Sequence, residues 1–404
     1  RRSTSLFMRV LVINCGSSSV KYKLFDMQQK SVIAQGGVEK VGLSGAFIKF
    51  TLPDGQKVVV EKEIPGHYAA IELILSILTS TEYGAIASLE EIGAVGHRVV
   101  HGGEKFNSSV VITDEVIEAI KQCSDMAPLH NPANLIGIET MASILPGVAQ
   151  VAVFDTAFHQ TMPACAYMYG TPYEAYQKYG VRRYGFHGTS HRYVSQRVCE
   201  FLGIKPEGTK IITCHVGNGG SITAVKDGKS IDTSMGFTPL EGLLMGTRSG
   251  DIDAGAVTYI MDKEGLDTKG ISDYLNKKSG VAGVSGLSSD MRDIEAADKA
   301  GEPKAVLAMS MYAYRIKKYI GAYTAALGGV DIIVFTGGVG ENQIGLRAQI
   351  CNELSFMGIE LDEVANNTKG EEIVITTPTS KVKVVVVPTD EEFMIASDTM
   401  SLIS

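Results

Sequence analysis

Two arginines stand in glycine-flanked segments: Arg98 in Gly96-His97-Arg98-Val99-Val100-His101-Gly102-Gly103-Glu104 and Arg248 in Met245-Gly246-Thr247-Arg248-Ser249-Gly250-Asp251. A guanidinium stays charged and offers a planar fork to carboxylate or phosphate; for either arginine alone a structural salt bridge is an equal alternative. Phe186-His187-Gly188-Thr189-Ser190-His191 spaces two histidines four apart, which on a helix could hold zinc. No glutamate adjoins them as in H-E-x-x-H, Gly188 disfavours a helix between them, and no third ligand is evident, so zinc is the weaker reading. Thr189 or Ser190 is expected to cap a helix, leaving His187 on the loop to face a ligand. Asp155 follows a short apolar strand pattern at 150–154, and Glu391 lies at a helix start in Pro388-Thr389-Asp390-Glu391-Glu392. Mg²⁺ usually takes one or two carboxylates, although the local context of Glu391 by itself favours plain complementation of a helix dipole.

Three strand-to-turn segments, 14–19, 217–221 and 336–342, are rich in Gly, Ser and Asn. Backbone amides reach phosphate oxygens only where side chains do not intervene, so such turns recur at phosphate sites. One such turn alone is more often an unliganded hairpin. None matches the P-loop pattern G-x-x-x-x-G-K-S/T, none sets G-x-G-x-x-G between strand and helix, and the protein-kinase catalytic loop is absent. What remains is a nucleotide held between two related domains by hairpin turns, the plan of the actin-like phosphotransferases.

These residues need strand ends and helix starts to position them. The apolar run 10–14 ends in Cys15-Gly16-Ser17-Ser18-Ser19, after which Val20, Tyr22 and Leu24 alternate with Lys21 and Lys23, a hairpin pattern. Residues 211–216 repeat it, turning through Gly217-Asn218-Gly219-Gly220-Ser221 and returning along 222–225, which points to a duplicated domain. Helical spacing runs over 67–80, Thr113 caps a second helix that opens Asp114-Glu115, and Asn131-Pro132 starts a third. A long amphipathic helix over 304–327, a buried strand at 332–335, a turn at 337–342 into another helix and a last helix from about Thr389-Asp390 complete the pattern. Alternating strands and helices predict an α/β fold with mixed sheets.

At 404 residues the chain exceeds what one core supports, so two domains are expected, with a boundary near 155 set by topology alone. A formal charge of -8 argues against non-specific nucleic-acid binding. No apolar run approaches the ~18–20 residues of a spanning helix. Residues 1–7, before Met8, read as an appended remnant. The six cysteines show no C-x-x-C pair and fit a reducing cytoplasm.

Asn14-Cys15-Gly16-Ser17-Ser18-Ser19, the segment from His97 to Glu104, Phe154-Asp155-Thr156-Ala157-Phe158-His159, His187-Gly188-Thr189-Ser190-His191, His215-Val216-Gly217-Asn218-Gly219-Gly220-Ser221 and Gly246-Thr247-Arg248-Ser249-Gly250-Asp251 together resemble, in unbroken order, the acetate and short-chain acid kinase family. The resemblance runs from Met8 to the C-terminus. It implies duplicated ribonuclease-H-like (actin-like) domains, 8–155 completed by a C-terminal helix at about 390–404, and 156–389 carrying the nucleotide site, with the active site in the interdomain cleft. It also implies a cytoplasmic homodimer that transfers the γ-phosphoryl group of ATP to acetate, reversibly, giving acetyl phosphate and ADP, with Mg²⁺ (or Mn²⁺) as the metal. A propionate or butyrate kinase is the near alternative, and an actin-like ATP-binding chaperone or filament protein the distant one.

Carried over residue by residue, the resemblance gives Arg98 and Arg248 to the acid and the transferring phosphoryl group and His187 to the developing charge. Asp155 and Glu391, with Asn14, would organise the metal. Val100, Leu129, Phe186 and Pro239 would surround the methyl group. Asn14, Ser17, Ser19 and Lys21 match the first phosphate hairpin, His215, Asn218 and Gly219 the second, and Asp290, Arg292, Gly338, Val339 and Asn342 the nucleotide site. Cys15 is assigned no chemistry. Phosphoryl transfer needs charge neutralisation and in-line positioning more than a strong base, and acetate is already ionised at neutral pH, so this set suits the reaction.

Overall fold

The computed structural model describes residues 9–404, so the reading of residues 1–7 lies outside it. Two compact units form, one from residues 9–158 with Asp390–Ser404 and the other from His159–Thr389.

In the first unit the strands are β1 (Arg9–Cys15), β2 (Ser19–Asp26), β3 (Ser31–Glu39), β4 (Phe47–Thr51), β5 (Lys57–Glu61), β6 (Ala94–Val99), β7 (Val110–Val111) and β8 (Ala149–Phe154). They make one mixed sheet in the order β5-β4-β3-β2-β1-β6-β8-β7. β1 to β5 form an antiparallel meander, whereas β6 and β8 run parallel to β1. β1 is apolar throughout its centre because both its faces are covered. Leu11 and Ile13 join the core beneath the helix His67–Leu78, while Val10 and Val12 meet Ile395 and Ala396 of the C-terminal helix Glu391–Ile403. Each such side chain contributes roughly 1.5–3 kcal/mol of burial free energy.

The C-terminal helix lies directly on β6 at Gly96. A Cβ there would stand 2.4 Å from Thr399 Oγ1 and 2.8 Å from Ile395 Cγ2, so only glycine allows this approach. That contact fixes where the helix, and Glu391 at its first position, come to rest.

In the second unit β9 (Lys210–Val216), β10 (Gly220–Lys226), β11 (Lys229–Thr233), β12 (Ile332–Thr336), β13 (Ile373–Val374) and β14 (Lys383–Val386) form a mixed sheet ordered β11-β10-β9-β12-β14-β13. β9 lies between antiparallel β10 and parallel β12, as β1 lies between antiparallel β2 and parallel β6. The same plan is thus used twice, as the paired hairpin patterns predict. The helix Pro303–Leu327 buries Ala305, Ala308, Tyr312, Ile316 and Ile320, spaced three to four apart, and four of these join the core of Ile212 and Ile222. Residues Gly337–Asn342, expected as a turn, are helical from the end of β12, and Asn342 Nδ2 donates to Gly338 O at 2.8 Å. Three glycines argue for a turn by propensity, but a helix start at a strand end tolerates them.

Candidate active site

In the first unit parallel pairing sets the ends of β6 and β8 side by side. Arg98 leaves one and Asp155 follows the other, and Asp155 N donates to Val99 O at 3.0 Å. The guanidinium grips the carboxylate with two donors, Nε to Oδ1 at 3.0 Å and Nη2 to Oδ2 at 2.6 Å. Asp155 is buried and Arg98 half-buried. The pairing holds Arg98 above its ordinary value, with the Asp155 charge the leading cause and Glu391 and Glu392 adding to it.

Glu391 joins this group from the far end of the chain. Asp390 caps its helix, accepting from Phe393 N at 3.1 Å. Burial pushes the Glu391 carboxyl up to about 7; Arg98 pulls it down, while Asp155, Glu392 and Asp390 push it further up. Helix-dipole complementation alone does not explain such a carboxyl, because it would favour the ionised form. Four acidic side chains face two cations, Arg98 and Lys23, the latter 3.8 Å from Glu392, so the acids outnumber the cations and a divalent cation would offset the excess. Among the described residues no three His, Cys, Asp or Glu side chains converge as a metal cage. Mg²⁺ does not need one, since it keeps water and takes phosphate oxygens, so the two carboxylates of Asp155 and Glu391 fit it.

Two asparagines to which the sequence reading gave no part in the site hold this unit's loops. Asn134 accepts from Val100 N at 3.0 Å and donates to Cys15 O at 2.8 Å, tying the segment after Arg98 to the Asn14–Ser19 turn. Asn131 accepts from His101 N at 3.0 Å and donates to His101 O at 2.9 Å. Both are buried at the start of the helix Asn131–Ile144. Amides three apart in Asn131-Pro132-Ala133-Asn134, inside an apolar helix, were the available signal. Cys15 is buried and its thiol is pushed up to about 12 by burial, as suits a residue without chemistry. His97 is also core: it pairs with Gln150, and burial drives it down to about 4.

Asn14 and Lys21 line a cavity of about 550 Å³ over β2 to β5, together with Lys23, Lys49 and Glu392. Ser17 is exposed at the turn and Ser19 half-buried; Gly16 N closes the turn on Ser19 O at 2.8 Å. Val100 is buried, whereas Leu129 is 68% exposed.

In the second unit the helix Gly188–Leu202 begins earlier than expected. His187 itself is its N-cap, in the left-handed region at φ 55, and neither Thr189 nor Ser190 caps it. Ser190 is turned inward instead, with Oγ 2.7 Å from His215 Nδ1 and 2.7 Å from Thr389 Oγ1. For Ser190 the expectation failed because its hydroxyl has partners on β9 and just before the C-terminal helix, which local sequence does not display. His187 Nδ1 lies 2.9 Å from Ser221 Oγ. Phe186 is buried, and its carbonyl meets His159 Nε2 at 2.9 Å.

Gly219 brings the imidazole and the second arginine together. A Cβ at Gly219 would lie 3.5 Å from His187 Nε2 and 3.5 Å from Arg248 Nη1, so both groups flank the same glycine surface. Arg248 Nη1 donates to Pro239 O at 3.1 Å, but among the described residues no carboxylate comes within ion-pair distance of it. Its burial lowers its proton affinity, with no counter-charge to raise it. A half-buried guanidinium without an anionic partner is a ready site for an anionic ligand.

Asn218, Asp290, Arg292, Gly338, Val339 and Asn342 line one cavity of about 610 Å³. Asp290 caps the helix Met291–Lys299 and pairs with Arg292, Nη2 to Oδ2 at 2.7 Å. Lys369, Glu295 and Gln343 also line the cavity and escaped the sequence reading, because none sits in a glycine-rich motif.

Residues 9–397 match the model of the acetokinase family. The chain is 69% identical over 396 residues to the acetate kinase of Bacteroides fragilis, covering 98% of this chain and 100% of that protein. Its structure superposes on that of Porphyromonas gingivalis acetate kinase with a TM-score of 0.96 at 61% identity, over 98% of this chain and 100% of the other. A propionate kinase from Francisella tularensis matches at 42% identity and a TM-score of 0.91, covering 98% and 99%. With motifs, duplicated sheets and full-length likeness in agreement, the chain belongs to the acetokinase family.

Proposed function

We propose that this chain transfers the γ-phosphoryl group of ATP directly to acetate, reversibly, giving acetyl phosphate and ADP. The observation that carries this reading is the half-buried Arg248 guanidinium, without a carboxylate partner among the described residues and facing the same glycine as His187. A group so placed would bind an anion whose charge grows during transfer, and His187 would donate a hydrogen bond to it. Arg98, held in one orientation by Asp155, would receive the acid carboxylate; two guanidinium groups then offset the repulsion between an anionic nucleophile and a polyanionic donor. Asp155 and Glu391, together with Asn14, would hold Mg²⁺ or Mn²⁺, which when bound neutralises phosphate charge.

Ser17, Ser19 and Lys21 would contact phosphate from the first turn, and His215, Asn218 and Gly219 from the second. Asp290, Arg292, Gly338, Val339 and Asn342 would take the nucleoside. Val100, Leu129, Phe186 and Pro239 would enclose the methyl group. The exposure of Leu129 means that any role for it at the acid depends on the ligand-bound form. The chain would work as a homodimer in the cytoplasm, as the family resemblance implies; sedimentation at micromolar concentration reads the former.

The likeness to a propionate kinase makes the three-carbon acid the second reading. A coupled assay of ADP release with ATP, Mg²⁺ and acetate, propionate or butyrate separates them: acetate should lead, propionate follow and butyrate be poor. A lead for propionate would favour the second reading. ADP release independent of any acid would point to an ATP-driven binding protein instead.

A further inference from the structure

Behind His187 runs a line of buried polar side chains. Ser221 Oγ lies 2.9 Å from His187 Nδ1 and 2.7 Å from His191 Nε2, and His191 Nδ1 lies 2.6 Å from Thr213 Oγ1. Ser221, His191 and Thr213 are wholly buried. His191 projects from the helix that His187 caps, Thr213 from β9 and Ser221 from β10, so three elements lock the line in place.

Counting protons gives the line a direction. Each hydroxyl carries one proton, and a neutral imidazole carries one N–H. His191 is neutral, since burial beside His159 and His215 drives it well below its ordinary value. Among the described residues the Thr213 hydroxyl meets His191 alone, so its proton has one acceptor, His191 Nδ1. His191 must then carry its own proton on Nε2 and donate it to Ser221 Oγ. Ser221, already accepting there, directs its proton to His187 Nδ1. The reverse direction would strand a buried hydroxyl proton, which is costly.

We propose that Thr213, His191 and Ser221 form a relay of fixed direction that holds His187 as the neutral tautomer with its N–H on Nε2, the nitrogen facing Gly219. They are positioning residues, and their value for catalysis rests on the reading of His187 as a donor to the phosphoryl group. The relay also resists protonation of His187 at Nδ1, because Ser221 cannot accept from two imidazoles and still place its own proton. Supporting a functional imidazole through its other nitrogen is a general device; at metal-binding histidines removing such support lowers activity by roughly 10- to 100-fold, and that range sets the scale for His187.

The test is ¹⁵N NMR of the histidine-labelled full chain without ligand, in wild type, Thr213→Val and Ser221→Ala, alongside kcat and KM. Thr213→Val keeps the side-chain shape and touches neither His187 nor the glycine turn. His187 should show an unprotonated Nδ1 and a protonated Nε2 in wild type. In both variants a tautomer mixture should appear, with kcat reduced roughly 10-fold or more and the KM for ATP nearly unchanged. A protonated Nδ1 in wild type overturns the relay, and so does an unaltered tautomer in folded Thr213→Val, even if its melting temperature falls. If Ser221→Ala does not fold, Thr213→Val decides alone. Near-native turnover of His187→Ala with the stated tautomer would remove His187 from catalysis and leave the relay standing, so the two failures are distinguishable.

Discussion

Arg98 holds Asp155 through two donors at 3.0 and 2.6 Å, whereas Arg248, equally part of a glycine-flanked motif, meets no carboxylate among the described residues. The two arginines therefore differ in what their loss exposes. Removing Arg98 leaves a buried carboxylate unpaired; removing Arg248 leaves no charge behind.

Both Arg98→Ala and Arg248→Ala should lower kcat/KM by about 2 to 4 kcal/mol of transition-state binding, or roughly 30- to 1,000-fold. Their stabilities should diverge. Because Arg98 is 31% exposed, the cost of breaking its pair is screened, and Arg98→Ala should destabilise by about 1 to 3 kcal/mol. Arg248→Ala should change thermal stability little. Paired melting curves and steady-state rates decide this, and near-native turnover of either folded variant would refute its assigned role.

Glu391 gives a pH signature. Its carboxyl titrates at about 7 in the folded protein without metal, against an ordinary value of 4.5. Between these values the folded state keeps a proton that the unfolded chain has lost. The stability this group contributes is therefore fully present below 4.5 and declines as pH rises through about 7. Urea midpoints at about pH 5 and about pH 8 should fall more for wild type than for Glu391→Gln. Mg²⁺ with ADP should shrink the wild-type difference, since a cation favours the carboxylate. Glu391→Ala should also need more Mg²⁺ for half-maximal rate. Identical pH dependence in both proteins, with unchanged Mg²⁺ demand, would return Glu391 to simple helix-dipole complementation.

Val100 tests the acid preference. It is buried two residues after Arg98, and its backbone N–H is held by Asn134 Oδ1 at 3.0 Å, which fixes where its side chain points. One methylene is worth only ~0.8 kcal/mol of burial, so a small apolar pocket sorts acids by exclusion, by roughly 10- to 200-fold. Val100→Ala should raise the propionate-to-acetate ratio of kcat/KM with the apparent affinity for ATP nearly unchanged. An unaltered ratio in a folded but destabilised variant would make Val100 ordinary core.

Much of the scaffold was legible in the sequence because its causes are local. The apolar run at 10–14 and the small-residue turn after it specify a buried strand and a tight return, whatever lies elsewhere. Thr113 caps its helix by accepting from Val116 N at 3.3 Å, as its position before Asp114-Glu115 predicts. The order of the motifs likewise carried the family without any coordinates. What the tertiary structure alone decided is the environment of each ionisable group. Nothing near Glu391 in sequence distinguishes a helix-start glutamate from one beside Arg98 and Asp155; the close seat of its helix on Gly96 makes that difference. Thr189 and Ser190 look like caps until buried partners claim Ser190, and the direction of the relay behind His187 depends on hydroxyls from two strands and an imidazole from a helix. Propensity and periodicity act over a few residues, whereas burial, charge pairing and proton placement depend on neighbours that only folding brings within a few ångströms.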